Sequence, residues 1–466
     1  MFRMIFLFLF FFTPSFMAEA SVEDALDSLL AVPWTKSPTS LPDSAAWKIE
    51  PYTDLTTFEL QGYNLRAFFR DNGSFRTKLF TYAEPSLTSF RETILMGYIQ
   101  ATVQTEEEAK GIHGKMLIGL KSRGFESMPP DTTRDAVMLR MMYKGSEMFR
   151  KGKMNGCTYY VKDDRANCWY ARTSISHPRF QEFKNKSMAA LDHWSDYHYT
   201  MPDKLIKDLE SGKVSGLLTP ALWDSIKNMP SFNFESFWRG EYKFPLDRLV
   251  SAYETIDRRN LSGKNLSAAL LFKNYLVRYL FMNGWSKEMT AEQKKWLETH
   301  GLSYMYSELG LAYINGESNL WNLIEKYPDS YWGQFAFLEL LMMGFDTTGM
   351  CRTGNDQWSM VLEKGPVFLE KYPDSEFAPD VRFYIGTAAE TLFNLGVMEQ
   401  FGPREDKSIE YYSDKREGAR KQAIKCYEEV LQSPQKGKYE NHLKYTLPRL
   451  RAGFGTGCDY YFCFYD

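Results

Sequence analysis

Asp192-His193-Trp194-Ser195-Asp196-Tyr197-His198 is the densest set of groups in the chain able to move protons or hold a metal. On a helix, Asp192 and Asp196 fall at i,i+4 on one face, where paired carboxylates can share acid–base work. His193 and His198 sit five residues apart, about 140° around a helix, whereas two imidazoles hold one zinc best at i,i+4. Asp192, His193, Asp196 and His198 are therefore the candidate catalytic residues, on a pattern that a structural role explains better, and no metal site is read from them. His113, His177, His300 and His442 stand alone in the sequence. No Gly-x-Ser-x-Gly, no phosphate-cradling glycine loop and no Cys/His nucleophile pattern is present. These absences favour a binding protein without a cofactor over an enzyme.

The six cysteines carry a second kind of chemistry. Cys157 and Cys168 flank Thr-Tyr-Tyr-Val-Lys-Asp-Asp-Arg-Ala-Asn, in which aromatic and β-branched residues border a polar centre. The segment reads as a β-hairpin. A turn centred on Lys162-Asp163 would set Cys157 opposite Cys168, at a separation that fits a disulfide. Cys458 and Cys463 are expected to close a local clasp in the aromatic tail, while Cys351 and Cys426 are left without an assigned pairing. No Cys-x-x-Cys is present, so disulfides are preferred to zinc.

The elements that must position these groups begin with an export signal. Met1-Phe2-Arg3 is a short positive region, Met4 to Phe12 is unbroken apolar sequence, and Ala18-Glu19-Ala20 offers the small residues that signal peptidase requires. Cleavage after Ala20 would make Ser21 the mature N-terminus. An apolar run this short cannot span about 30 Å of hydrocarbon. No later segment is long and apolar enough either, so no transmembrane segment is expected in the mature chain. A formal charge of −3 gives no reason to expect nucleic acid.

Residues 21–185 read as a mixed α+β region. Val22 to Leu30 is a short amphipathic stretch, followed by a Pro/Ser/Thr-rich lead-in. Leu65 to Leu79 reads as a hairpin around a three-residue Asp71-Asn72-Gly73 loop, with Leu65, Ala67 and Phe69 on one face. Arg66, Arg70, Arg76 and Lys78 would lie on the other, as a solvated basic face. Ser89 to Lys121 reads as more helical, with a helix start at Thr105 followed by three glutamates. Residues 186–290 read as helical. There, Leu246 to Arg259 and Leu266 to Met282 carry apolar residues at 3–4 spacing.

From residue 291 the pattern becomes regular. Glu-Lys-Tyr-Pro-Asp-Ser occurs at 325–330 and again at 370–375, a spacing of 45 residues. A fixed period of this size signals stacked supersecondary units. Proline ends one helix, and Asp329 or Ser330 can cap the next. The expected units pair helices at 291–314 with 320–326, 331–345 with 356–371, and 376–396 with 417–432. A charged insertion at 397–416 and a closing helix at 439–450 complete the reading.

Phe368 to Asp380, continuing into Phe383-Tyr384-Ile385-Gly386 and matched by Ala423, Tyr427 and Pro434, resembles the tetratricopeptide-like repeats of exported Gram-negative envelope proteins. The likeness is to the repeats of the outer-membrane-assembly lipoprotein and of the Tol-Pal accessory protein, and it covers residues 291–450. In such repeats small residues let helices cross closely and the aromatic fills the gap. The resemblance implies a mostly α protein ending in a tetratricopeptide-like superhelix (residues 291–466). Its concave surface would hold a protein, peptide or cell-wall partner in the periplasm or outside the cell, with peripheral association to the envelope. The alternative is a periplasmic enzyme, such as a metal-dependent hydrolase, with its site in residues 55–290.

Overall fold

The first described element starts at Ser21. Its hydroxyl accepts the Asp24 N–H while the Asp24 carboxylate accepts the Ser21 N–H, a reciprocal cap that opens helix α1 (Val22–Leu30). This computed structural model describes residues 21–50, 64–129, 143–163, 166–180, 182–183, 201–228, 246–258, 261–280, 289–306, 312–315, 317–342, 356–401 and 410–455. The chain divides into two compact units, one of residues 1–84 and 89–185, the other of residues 85–88 and 186–466.

The first unit is built on an eight-stranded sheet. Its strands are β1 (Lys48–Glu50), β2 (Asn64–Asn72), β3 (Phe75–Ala83), β4 (Glu92–Val103), β5 (Glu126–Ser127), β6 (Lys144–Lys151), β7 (Met154–Asp163) and β8 (Cys168–Ser176). Helix α2 (Glu106–Ser122) lies between β4 and β5 in sequence. The spatial order is β1-β2-β3-β4-β8-β7-β6-β5, and neighbouring strands are antiparallel throughout.

That order is symmetric about the β4–β8 seam. Each half runs helix, short edge strand, then a three-stranded meander. α1 packs on β3 and β4, and α2 packs in the same way on β7 and β8. Both helices open with a reciprocal cap, Ser21 with Asp24 and Thr105 with Glu108. The β2–β3 and β6–β7 hairpins both turn over two residues that begin with a left-handed glycine, Gly73 (φ 58°) and Gly152 (φ 57°). Leu26, Leu29, Phe68, Phe75, Leu79, Ile94, Ile99, Met116, Leu120, Phe149, Ala171 and Ile175 form one core between the helices and the sheet.

Three expectations are corrected here. The β2–β3 turn is Gly73-Ser74, with Asn72 opposite Phe75 and Phe68 opposite Leu79, not a three-residue loop. β3 is buried on both faces apart from Arg76, so simple alternation no longer fixes the register. The basic face does not form as a row of solvated charges. Arg66 pairs with Glu92 and Arg76 with Asp71, and Lys78 is buried over the Phe80 ring. Residues 92–103, read as helical, form the long strand β4. Its Thr, Ile, Tyr and Val content suits a strand, and burial on both faces removed the period-2 signal.

Among the described residues the second unit is helical, apart from one small hairpin. It contains α3 (Asp203–Ser211), α4 (Pro220–Lys227), α5 (Leu246–Asp257), α6 (Gly263–Leu280) and α7 (Ala291–Thr299). The hairpin β9 (Ser303–Tyr306) and β10 (Ala312–Asn315) follows, then α8 (Glu317–Lys326), α9 (Tyr331–Met342), α10 (Asp356–Lys371), α11 (Ala378–Phe401), α12 (Glu410–Gln432) and α13 (Lys436–Arg451). The helix expected at 291–314 is thus a short helix plus a hairpin. Gly301 in the left-handed region (φ 67°) stops α7, and the alternating residues beyond it pair as strands. α11 and α12 are longer than expected, because parts of the charged segment 397–416 continue both helices. α6 is buried almost all round and packs against α3, α5, α8 and α9. The chain is therefore mostly helical, with a large antiparallel sheet in its N-terminal half.

Candidate functional site

Asp192, His193, Asp196 and His198 lie outside the described residues, as do Cys351, Cys458 and Cys463. Cys157 and Cys168 do flank a β-hairpin, but they do not pair with each other. Cys157 stands opposite Ser174 and Cys168 opposite Asp163, because β7 runs on to Asp163 and β8 begins at Cys168. Cys168 is six residues from the position facing Cys157, about 20 Å at the rise of a strand, well beyond disulfide reach. Tyr170 instead donates its hydroxyl to Asp163 at 3.0 Å. Burial pushes the Cys426 thiol up to about 11, which makes it a poor nucleophile at neutral pH. Among the described residues no group of three His, Cys, Asp or Glu is placed to hold a metal.

The repeated word builds the same corner twice. After α8, the Ser330 N–H donates to the Tyr327 carbonyl at 3.1 Å. After α10, the Ser375 N–H donates to the Tyr372 carbonyl at 3.1 Å. Ser330 Oγ accepts the Gly333 N–H at 3.0 Å, and Ser375 Oγ accepts the Phe377 N–H at 3.2 Å. Gly333 has no room for a side chain, since a Cβ there would lie 1.9 Å from the Tyr327 carbonyl oxygen. The two corners also bond to each other. Tyr372 donates its hydroxyl to Asp329 at 3.0 Å, and Ser375 donates to Gln334 at 2.6 Å. Asp329 thus serves the neighbouring corner, and Ser330 does the capping.

The helix pairs behind these corners follow the small-against-large logic of the sequence. The Tyr427 ring of α12 lies on Gly386 of α11, where an added Cβ would sit 2.7 Å from the ring. The Tyr427 hydroxyl donates to Glu390 at 2.7 Å, and Glu390 pairs with Arg449 of α13, which is also buried. Asp380 accepts from Lys438 and Tyr439. His442 packs edge-on to Phe383, and burial lowers its imidazole to about 4, so it is neutral in this core. A second buried pair, Arg278 of α6 with Glu339 of α9 at 2.5 Å, sits among aromatic side chains. Burial holds the Glu339 carboxyl above its ordinary range despite the arginine. Such pairs fix helix register, since breaking one strands a charge in the core. None of Glu390, Arg449, Glu339 or Arg278 was singled out from sequence, because a lone charge in a helical pattern reads as solvent-facing.

The helix-A surface, expected to hold a partner, carries few exposed side chains among the described residues. α9 and the described side chains of α11 are buried on nearly every side, so the helix-A faces are closed among the described residues. Large apolar side chains reach solvent instead on the second set of helices: Trp321 of α8 (43% exposed) and Val367 of α10 (56% exposed), each just ahead of a repeated corner. Among the described residues no helix is long and apolar enough to cross a membrane. Comparison of the chain with protein-family models, with curated proteins and with solved structures gave no match.

Proposed function

We propose that the chain is an exported binding protein of the cell envelope, whose stacked helical hairpins form a superhelical scaffold for a protein or cell-wall partner. The observation that carries this reading is the bonding of one Tyr-Pro-Asp-Ser corner to the next, through Tyr372 with Asp329 and Ser375 with Gln334. Corners that bond to each other repeat one hairpin geometry from unit to unit, as a stacked array requires. With the helix-A faces buried, the partner surface falls on the outer helices around Trp321 and Val367. A large exposed aromatic on a polar surface is the kind of anchor that binding sites use. Export is supported by the reciprocal cap at Ser21, which a cut after Ala20 would leave whole.

The test is photocrosslinking from positions 321 and 367 in the native host, with Glu370 as the control position. One defined adduct from 321 or 367 and none from 370 is expected. No adduct, or the same adducts from all three, would overturn the reading. Mass analysis of the purified native protein should find Ser21 as the first residue, and an intact Met1–Ala20 segment would remove export from the proposal.

A further inference from the structure

The symmetry of the first unit supplies an internal reference. In each half, the residue eight positions past the capping Ser or Thr points into the core: Leu29 in α1, and His113 in α2. Leu29 lies against Gly97 of β4 in an apolar contact. His113 lies against the one left-handed glycine within β6. Gly145 (φ 65°) sits in a bulge where two residues of β6 face one of β7. A Cβ at Gly145 would lie 3.0 Å from the His113 ring and 2.9 Å from the Tyr160 ring, so glycine alone lets the strand close over the imidazole. His113 is only 6% exposed, its ring centroid is 5.4 Å from that of Tyr160, and its Nε2 has no hydrogen-bond partner among the described residues.

We propose that His113 is a proton-operated catch that holds the β6 bulge closed when neutral and releases it when protonated. An uncharged imidazole is compatible with this buried site. An imidazolium in the same place would need solvation or a counter-charge, and the strand over it must yield. The charged groups near it are few. β6 brings Glu147, whose field favours the imidazolium, and Lys144, which is paired with Glu106 of α2 at 2.7 Å and lies over the Trp169 ring of β8. β7 brings the Tyr160 ring and, at Thr158, a backbone group that with that of Gly145 in β6 hydrogen-bonds the imidazole and favours its charged form. α1 brings Glu23 and Asp27, but these are taken by Arg123, ten residues further along α2. Burial outweighs Glu147 and lowers the imidazole below its ordinary range. The folded form therefore loses stability as pH falls below the unfolded value of about 6.5. β6 can respond because, among the described residues, its outer edge is bonded at Met148, Phe149 and Arg150, beyond the bulge at Gly145.

Hydrogen exchange followed by mass spectrometry on the full chain, corrected for the intrinsic pH dependence of exchange, reads this catch directly. Between about pH 7.5 and pH 5, protection of the β6 amides should fall by roughly tenfold, as one proton over one pH unit allows. His113→Leu, which copies the residue of the other half, should abolish the fall. Glu147→Gln should move it to lower pH. Unchanged β6 protection in the parent chain, or a fall that persists in His113→Leu, would overturn the proposal. If His113→Leu does not fold, Glu147→Gln decides alone, and an unshifted midpoint counts against the catch.

Discussion

Gly386 and Tyr427 are two halves of one packing event, in which the absence of a side chain on α11 makes the space that the tyrosine of α12 fills. The ring is fully buried and its hydroxyl reaches Thr387 at 3.3 Å and Glu390 at 2.7 Å. Gly386→Ala sets two terms against each other. Alanine gains about 1 kcal/mol over glycine in a helix, but over-packing a tight contact costs about 1–3 kcal/mol. With the Cβ 2.7 Å from a ring pinned by its own hydrogen bond, over-packing should win. Chemical denaturation should show a net loss near 1 kcal/mol for Gly386→Ala, against about 3–5 kcal/mol for Tyr427→Ala. A more stable Gly386→Ala would mean that Tyr427 can move aside and that the close crossing is not built around it.

At the scale of elements, the corner between helices is where sequence and bonding are most closely linked. Ser375 works twice, accepting the Phe377 N–H in the turn that leads into α11 and donating to Gln334 in the first turn of α9. Loss of such a side-chain-to-backbone turn bond costs about 1 kcal/mol, and the bond to Gln334 adds to it, so Ser375→Ala should cost more than Gln334→Ala. The pair should be non-additive by at least about 0.5 kcal/mol in a double-mutant cycle. Strict additivity would show that the two corners stand side by side without supporting each other.

The helices bounded by these corners were legible because proline, the capping serine and a 3–4 apolar spacing all act within a few residues. Helix α10 (Asp356–Lys371) begins and ends where the sequence placed it. The sheet was legible only in part. Strand β4 carries no alternation because it is covered on both faces, and Lys162-Asp163, read as a turn, instead pair with Trp169 and Cys168 of β8. Such slips follow from long-range pairing: β4 is fixed by β3 and β8, and β8 lies about seventy residues further along the chain. The buried pairs Arg449 with Glu390 and Arg278 with Glu339 were illegible for the same reason, since each joins helices distant in sequence.

At the scale of the molecule, the symmetry of the first unit makes the β4–β8 seam behave as an interface within one chain. The seam pairs Met96 to Val103 with Trp169 to Ser176, and within it Ala101 meets Ala171, both fully buried. α1 and α2 touch across the same line. Each half has its own helix, edge strand and meander, and the connection between β4 and α2 is short and exposed around Gln104. A protease site placed at Gln104 would turn an intramolecular contact into a bimolecular one. The effective concentration lost on cutting is of millimolar order, which a continuous seam of backbone hydrogen bonds and buried side chains should withstand. After cutting, residues 21–103 should remain bound to the rest of the chain in native size-exclusion chromatography. The same cut in an Ala171→Asp variant should raise hydrogen exchange along β4 and β8, because a carboxylate without a counter-charge then lies on the seam. Release from the unsubstituted protein would show that the halves hold together only through their covalent link, and the internal two-fold would then be a matter of topology without an interface behind it.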